Sequence, residues 1–235
     1  MLKIALLGVL LFFFECLMFG QSQKIDSVYQ KFDLMYGLDS DLHNGKKFIP
    51  DAPSSGNPFW GSEGLFCGDI TLSGKTFRNQ KLKYNISKQD FLLLYTDGNG
   101  QKYQIVLNSA LVDSVRSGTD LFVRNPYPET GSQFVKEIYR GRLHCFIALE
   151  KKLELSPLGP NTGYSYSEET RTNFLIYKKQ IQQFKREASF VRIFPKGKRA
   201  VIRSEISRLR IKFRKLDDGL LRQLVVFCDH TVLYD

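Results

Sequence analysis

Histidine and cysteine are the side chains in this sequence best suited to metal binding or to nucleophilic catalysis. Their spacing matches no zinc-binding pattern and no CxxC pattern. His144 and Cys145 are neighbours in a strand-like stretch, where successive side chains point to opposite faces, so they are not expected to form a catalytic pair. No metal site and no cofactor is therefore predicted. The residues of these two types beyond the N-terminal segment are His43, Cys67, His144, Cys145, Cys228 and His230.

The three cysteines beyond the N-terminal segment are an odd number, so at least one thiol stays free. Cysteine packs in protein interiors as a small hydrophobe. The sequence therefore favours three buried thiols at Cys67, Cys145 and Cys228. The alternative is one disulfide with one free thiol.

Motifs of the common enzyme classes are missing from the sequence. It contains no GxSxG nucleophile motif, no HExxH zinc motif and no Walker loop. It also lacks a close pair of acidic residues framed by aromatic residues. The protein is therefore predicted not to be an enzyme. The alternative is a hydrolase whose active-site residues are far apart in the sequence and meet only on folding.

The first 20 residues have the pattern of a cleavable signal peptide. Lys3 precedes an apolar run at residues 4 to 14, and polar residues follow Gly20. The run is shorter than the roughly 20 apolar residues that a membrane-spanning helix needs. Cleavage is predicted between residues 20 and 22, and bulky Phe14 before Cys16 argues against a lipoprotein. The sequence thus predicts an exported, secreted protein.

Positive charge is concentrated in the C-terminal third of the chain. Residues 174 to 216 contain 14 lysines and arginines and two acids, a net charge of +12, whereas the whole protein has a net charge of +10. Such a segment creates a local field that attracts anions. Taken as a helix, it places Arg199, Arg203, Arg210 and Arg214 on one face. These four are predicted binding residues.

Two interpretations of this basic face are open. The arginines can form a solvated face whose long side chains cover the edge of the core. They can also bind a polyanion, and the candidates outside the cytoplasm are anionic lipid, lipopolysaccharide and acidic glycan. A protein of the cell envelope is another candidate partner. Nucleic acid, the usual partner of a basic patch, is not expected because the protein is exported.

The stretch from residue 24 to residue 187 is predicted to be an antiparallel β-rich domain. Apolar and polar residues alternate there, and turn residues recur about every ten positions. Leu82 and Tyr84 alternate with polar residues, so one face of that strand is expected to be buried. Residues 91 to 95 and 102 to 107 flank the sequence Asp-Gly-Asn-Gly, which predicts a hairpin.

The remaining residues, 188 to 235, are predicted to be a basic helical subdomain packed on the sheet. Ile202, Ile206, Leu209 and Phe213 recur at helical spacing and form the expected buried stripe. The predicted fold class is therefore α+β, an antiparallel β-rich body of hairpins followed by helices.

The ends of these helices also have signals in the sequence. Ala188 and Ser189 are predicted to begin a short helix that Pro195 ends. Asp217 and Asp218 are predicted to cap a last helix, because acidic side chains stabilise a helix N-terminus.

Several of these features occur together. They are the Asn-Gly turn at residues 44 and 45, the Gly-x-Pro-aromatic-aromatic corner at residues 56 to 60, the hairpins and the basic helical end. In this combination the chain resembles a group of uncharacterised exported, β-rich proteins of Bacteroidetes-type Gram-negative bacteria. The resemblance implies a location in the periplasm or at the outer membrane, and the group has no established activity. This chain differs from the group in having Asn57 at the corner, where histidine is common, and Cys228 and Asp229 in place of an aromatic pair.

The corner contains the only tryptophan of the chain, Trp60. Phe59 and Trp60 are predicted to pack under the sheet, because large aromatic rings contribute strongly to a core. The alternative is an exposed aromatic platform for a sugar ring, which makes Trp60 a candidate binding residue. The Asn44-Gly45 pair is predicted to form a type I′ turn. Together, these features predict a non-catalytic envelope protein with a binding or scaffold role.

Overall fold

The computed structural model of the protein describes residues 39–51, 54–61, 64–156 and 163–232. The predicted signal peptide, residues 1 to 20, lies outside these ranges. None of the described helices is both long enough and apolar enough to cross a membrane.

The described residues form 14 strands, numbered here in chain order. They are β1 (Gly45–Lys47), β2 (Ser54–Ser55), β3 (Leu65–Leu72), β4 (Lys75–Asn85), β5 (Asp90–Thr96), β6 (Lys102–Leu107), β7 (Val112–Ser117), β8 (Asp120–Arg124), β9 (Phe134–Arg140), β10 (His144–Glu150), β11 (Leu153–Ser156), β12 (Gly163–Tyr166), β13 (Thr170–Tyr177) and β14 (Gln180–Phe184).

Eleven of the strands form one antiparallel sheet. Its order from edge to edge is β1-β6-β5-β4-β3-β7-β8-β9-β10-β13-β14, so most strands pair with their neighbour in sequence. The other three form a small sheet in the order β11-β12-β2. Three helices follow the last strand, α1 (Glu187–Arg192), α2 (Arg199–Arg208) and α3 (Asp218–Phe227). The predicted α+β fold, with a β-rich body and C-terminal helices, is confirmed.

The larger apolar cluster lies between one face of the main sheet and the helices. Strand residues such as Phe122 and Ile147 and helix residues such as Ile202 and Leu224 are buried in it together. Burial of an aliphatic or aromatic side chain stabilises a fold by about 1.5 to 3 kcal/mol. The helices therefore share one core with the sheet.

A smaller apolar cluster covers the opposite face of the sheet near β10. It contains Phe146 and Phe174, whose rings stack 5.3 Å apart. Strand β10 is therefore buried on both faces, with Cys145 in the larger cluster and His144 against Phe146 on the other side. The predicted alternation of these side chains is confirmed.

Most of the specific strand predictions are confirmed. Leu82 and Tyr84 are buried on one face of β4. The hairpin of β5 and β6 closes through a turn in which Asp97 Oδ1 accepts hydrogen bonds from the backbone N–H groups of Asn99 and Gln101. Asp97 thus organises this turn through its side chain, as an Asx turn does.

The predicted type I′ turn at Asn44 and Gly45 is wrong. Neither residue has a positive φ, and Gly45 is instead the first residue of β1. A Cβ atom at Gly45 would lie 2.5 Å from the carbonyl oxygen of Val106 on β6. Glycine is needed there because two strands approach closely, and the sequence pattern does not distinguish this need from that of a turn.

The predicted start of α3 is correct, whereas the predicted start of α1 is not. Asp217 caps α3 as expected, since its Oδ1 accepts a hydrogen bond from Leu220 N at 3.0 Å. Helix α1 begins at Glu187, earlier than predicted, and Ser189 lies inside it. The Ser189 hydroxyl oxygen accepts hydrogen bonds from the N–H groups of Lys185 and Arg186, so it caps the helix from within the first turn.

Candidate anion-binding surface

The basic segment predicted from the sequence is almost entirely exposed. Of its 14 lysines and arginines, twelve are exposed, and Lys198 and Arg199 are half-buried. Within the described ranges, the only ion pair shown for the twelve joins Arg208 to Glu205. The other eleven have no described carboxylate against them, so their charge is available to a ligand. They are Lys178, Lys179, Lys185, Arg186, Arg192, Lys196, Arg203, Arg210, Lys212, Arg214 and Lys215.

The first basic group surrounds the junction of α1 and α2. The ring of Tyr177, at the end of β13, lies 5.8 Å from the ring of Phe194, which precedes α2. This contact brings the turn between β13 and β14 next to the start of α2. The exposed members of the first basic group are Lys178, Lys179, Arg192, Lys196 and Arg203.

Arg199, at the start of α2, is half-buried beside this group. Its Nε donates a hydrogen bond to the carbonyl oxygen of Phe194 at 2.9 Å, and its Nη2 donates one to that of Arg192 at 3.0 Å. The guanidinium thus links the end of α1 to the start of α2. Arg199 is a predicted binding residue, and in the structure two of its nitrogens are engaged by backbone carbonyl oxygens.

The second basic group lies at the other end of α2. The ring of Phe213 lies 6.5 Å from that of Phe184 and 5.9 Å from that of Phe190. The chain after α2 therefore packs beside the junction of β14 and α1. This second basic group consists of Lys185, Arg186, Arg210, Lys212, Arg214 and Lys215.

The prediction that Arg199, Arg203, Arg210 and Arg214 lie on one helix face is wrong. Helix α2 ends at Arg208, so only the first two belong to it. A ten-residue helix is about 15 Å long. Arg199 and Arg203 therefore lie in the first half of α2, and Arg210 and Arg214 lie beyond its end.

The end of α2 has the hydrogen bonds of a Schellman motif. The N–H of Ile211 donates to the carbonyl oxygen of Ile206 at 3.1 Å, and Arg210 has a left-handed φ of 52°. Ile211 is buried in the larger cluster, so the chain must turn back toward the core here. Glycine is the usual residue at such a position because it has no Cβ to clash.

Strained backbone recurs at the basic residues. Six described residues other than glycine have a positive φ, and three of them are Lys178, Lys179 and Arg210. A left-handed conformation costs most residues about 1 to 2 kcal/mol. Positive charge thus stands at three positions where glycine or asparagine would be more stable: two in the hairpin turn between β13 and β14, and one at the end of α2.

Replacing Arg210 with glycine is expected to stabilise the protein by about 0.5 to 1 kcal/mol, because glycine relieves the strain at a left-handed position. Urea unfolding monitored by circular dichroism measures this. Arg210→Ala is the matched control, since it removes the same charge but keeps a Cβ. A midpoint for Arg210→Gly no higher than that of the alanine variant would show that Arg210 is not strained.

A shallow groove of about 420 Å³ lies between α2 and α3. Hydrogen bonds from Arg208 hold the pKa of the Glu205 carboxyl below its usual value, so this acid is ionised inside the groove. Arg208 uses two nitrogens for that bidentate contact, each at 2.7 Å. The groove is lined by Glu205, Arg208, Arg222, Gln223, Val226 and Phe227.

A charged cluster under the sheet was not foreseen from the sequence. Lys136 Nζ lies 2.6 Å from Asp120 Oδ1 and 2.6 Å from Asp218 Oδ2, and Arg171 pairs with Asp218 at 2.5 Å. Burial by itself lowers the pKa of Lys136. Its hydrogen bonds to the two acids raise the pKa by a larger amount, so the pKa lies above its usual value. The amine therefore stays charged and serves to tie α3 to the sheet. It is unsuited to act as a nucleophile or base.

Trp60 belongs to the edge of this cluster. It is half-buried, and its ring packs edge-on against Phe66 and Phe122 at 5.3 and 4.9 Å. Lys136 Nζ lies 5.7 Å from the ring centroid, a cation–π contact. Trp60 thus packs under the sheet, as predicted.

Phe59 does not accompany Trp60 under the sheet, contrary to prediction. Its ring lies 6.3 Å from that of Phe48, and Lys83 Nζ lies 4.8 Å above it. Lys83 points away from the larger cluster, because its neighbours Leu82 and Tyr84 point into it. The two aromatic residues of the corner therefore pack on opposite faces of the sheet, near the end of β4.

The cysteines and histidines are dispersed in the fold. Cys145 and Cys228 are buried, but Cys67 is exposed, so the prediction of three buried thiols is wrong for Cys67. All three are free thiols. Burial raises the pKa of the Cys228 thiol to about 12, so it is protonated and unreactive at neutral pH. In the described part of the chain, no three side chains of His, Cys, Asp or Glu come together to hold a metal ion.

Comparison of the chain with protein-family models, with curated proteins and with solved structures gave no match.

Proposed function

We propose that the protein is an exported, non-catalytic envelope protein with a binding or scaffold role, which contacts anionic components of the envelope through its two basic groups. The observation that carries this proposal is the set of eleven exposed cations without a described carboxylate partner. The concentration of these cations in two groups favours a binding surface over a solvated face, because grouped like charges create a field that attracts anions.

The spacing of the basic groups indicates the kind of ligand. Apart from Arg203 in the middle of α2, their members lie toward the two ends of a helix about 15 Å long, so one small anion does not reach all of them. A surface with many negative charges can engage both groups at once. Anionic lipid, lipopolysaccharide and acidic glycan all have this property, and each Lys or Arg near an anionic lipid surface contributes about 1 kcal/mol.

Binding to vesicles tests this proposal with one variant for each group. The probe is a vesicle of phosphatidylcholine with phosphatidylglycerol, and the readout is co-sedimentation of the chain from residue 21 onward. At low salt each variant is expected to bind at least about tenfold more weakly, and screening should shrink the difference as salt rises. The first variant carries Gln at positions 178, 179, 196 and 203, and the second at positions 210, 212, 214 and 215.

A third variant controls for net charge. Lys46, Lys47, Arg78 and Lys102 are exposed residues of β1, β4 and β6, at the other end of the sheet. Replacing these four with Gln removes the same charge and should leave binding within about twofold of wild type. Equal binding by wild type and by the two basic-group variants, with folding intact, would leave the solvated-face interpretation.

A further inference from the structure

Strand β14 ends the main sheet at one edge. Among the described strands it pairs only with β13. An edge strand exposes backbone N–H and C=O groups that can pair with another chain. Gln180 and Gln183 on this strand are exposed.

The register shows which backbone groups are free. Lys178 and Lys179 both have positive φ, at 51° and 64°, which defines a two-residue type I′ turn between β13 and β14. The residues flanking such a turn form a hydrogen-bonded pair, and bonded and non-bonded pairs then alternate. Gln180, Gln182 and Phe184 therefore face β13, and the backbone groups of Ile181 and Gln183 point outward.

The side chains beside these free groups are partly apolar. Ile181 is opposite Ile176 and Gln183 is opposite Phe174 in the register, on the face of the smaller apolar cluster. Ile181 packs against that cluster and is half-buried. An added strand would therefore place one side chain next to Ile181 and extend the cluster by one residue.

Cations flank the edge at both ends. Lys178 and Lys179 precede β14, and Lys185 and Arg186 follow it; none of the four has a described ion pair. A second copy of the chain pairing antiparallel along β14 would bring these like charges together, which is destabilising. The charges favour an acidic chain instead.

We propose that the edge of β14 binds an extended acidic segment of a partner protein by strand addition. Backbone hydrogen bonds to Ile181 and Gln183 fix the register, an apolar residue of the segment packs beside Ile181, and acidic residues at its two ends meet the flanking cations. This goes beyond the proposed function, because it concerns a protein partner and backbone hydrogen bonds of β14; its four flanking cations also belong to the two basic groups.

The test is a substitution that removes one backbone N–H group pointing away from the sheet and leaves the charge of the protein unchanged. Proline is tolerated on an edge strand where the N–H points away from the sheet. Gln183→Pro removes the outward N–H, and Gln183→Val keeps it. The probe is a fluorescein-labelled peptide, Glu-Asp-Val-Thr-Val-Asp-Glu, followed by fluorescence anisotropy.

Wild type and Gln183→Val are expected to bind the peptide with similar Kd, and Gln183→Pro at least about tenfold more weakly. A second peptide of the same charge, N-methylated at alternate residues, should also bind wild type at least about tenfold more weakly, whether or not the proline variant folds. Equal affinity of wild type for both peptides, or no binding of the unmethylated peptide, would overturn the proposal.

The outcome is separable from that of the vesicle experiment. Gln183→Pro leaves all cations in place, so it should bind anionic vesicles as wild type does. Loss of peptide binding with vesicle binding retained supports strand addition. Vesicle binding without peptide binding by wild type overturns strand addition and leaves the proposed function intact.

Discussion

Replacing Lys136 with methionine is expected to destabilise the protein by about 3 kcal/mol. The change keeps the side-chain length but leaves Asp120 and Asp218 without the cation that lies 2.6 Å from each. Removing one member of a buried ion pair costs about 3 to 5 kcal/mol, and the two acids retain some contact with solvent, which favours the lower end of that range. Urea unfolding measures the loss.

The same variant has a defined pH dependence. The folded-state pKa of Lys136 is raised above its ordinary value of 10.5. Its charge therefore contributes full stability below pH 10.5, and that contribution is lost as the pH rises through the folded-state pKa. The difference between wild type and Lys136→Met should be constant near neutral pH and shrink in strong alkali.

Lys81→Met, on an exposed part of β4, is the control for Lys136→Met. A surface substitution of this kind should change stability by no more than about 0.5 kcal/mol. A similarly small effect for Lys136→Met would show that the charged cluster does not hold α3 to the sheet.

Replacing Asp229 with alanine is expected to destabilise the protein by about 2 to 4 kcal/mol. Asp229 is 4% exposed, and its Oδ2 accepts a hydrogen bond from the Tyr139 hydroxyl at 2.7 Å. Its two oxygens also accept from the backbone N–H groups of Arg142 and Leu143, each at 3.2 Å. Loss of a charged acceptor leaves these donors unpaired, and a buried unpaired donor costs about 1 to 3 kcal/mol.

Tyr139→Phe separates one of these contacts from the others. It removes only the hydroxyl and should cost about 1 kcal/mol, clearly less than Asp229→Ala. The hydrogen bond to Asp229 also raises the pKa of Tyr139, so ultraviolet titration of Asp229→Ala should show this tyrosine ionising at lower pH. If both variants lost equal stability, the contacts of Asp229 to the backbone would be unimportant.

Both substitutions concern how α3 is held against the sheet. Asp218 is the first residue of α3, and Asp229 follows the end of the same helix. Through Lys136 and Tyr139, both ends of α3 are joined to strand β9. These contacts fix α3, the helix that follows the second basic group, against the sheet.

Local pattern was enough to predict the fold class and much of its detail. Alternation at Leu82 and Tyr84 predicts a half-buried strand because side chains of a strand point to alternate faces. Helical spacing predicts a buried stripe at Ile202, Ile206, Leu209 and Phe213. Ile202 and Ile206 lie in α2 and are buried, whereas Leu209 and Phe213 follow the end of α2 and are half-buried. The same reasoning places the helix cap at Asp217. These features depend on residues close together in the sequence, so the sequence alone determines them.

Glycine and cysteine were harder to interpret, because their roles depend on distant neighbours. Gly45 looks like a turn residue, but its place is set by the approach of the Val106 carbonyl from β6. Cys67 looks like a core residue by type, and yet its strand turns it to solvent. Neither outcome is encoded in the local pattern.

The sequence by itself determined that positive charge is segregated in residues 174 to 216, and only the tertiary structure decided how it is arranged. The predicted face of four arginines is interrupted where α2 ends, because the chain turns back there to bury Ile211 in the core. Ring contacts of Phe213 and Tyr177 with residues from other elements then assemble two groups of cations. Such long-range contacts depend on how whole elements pack, so no periodicity in the sequence reports them.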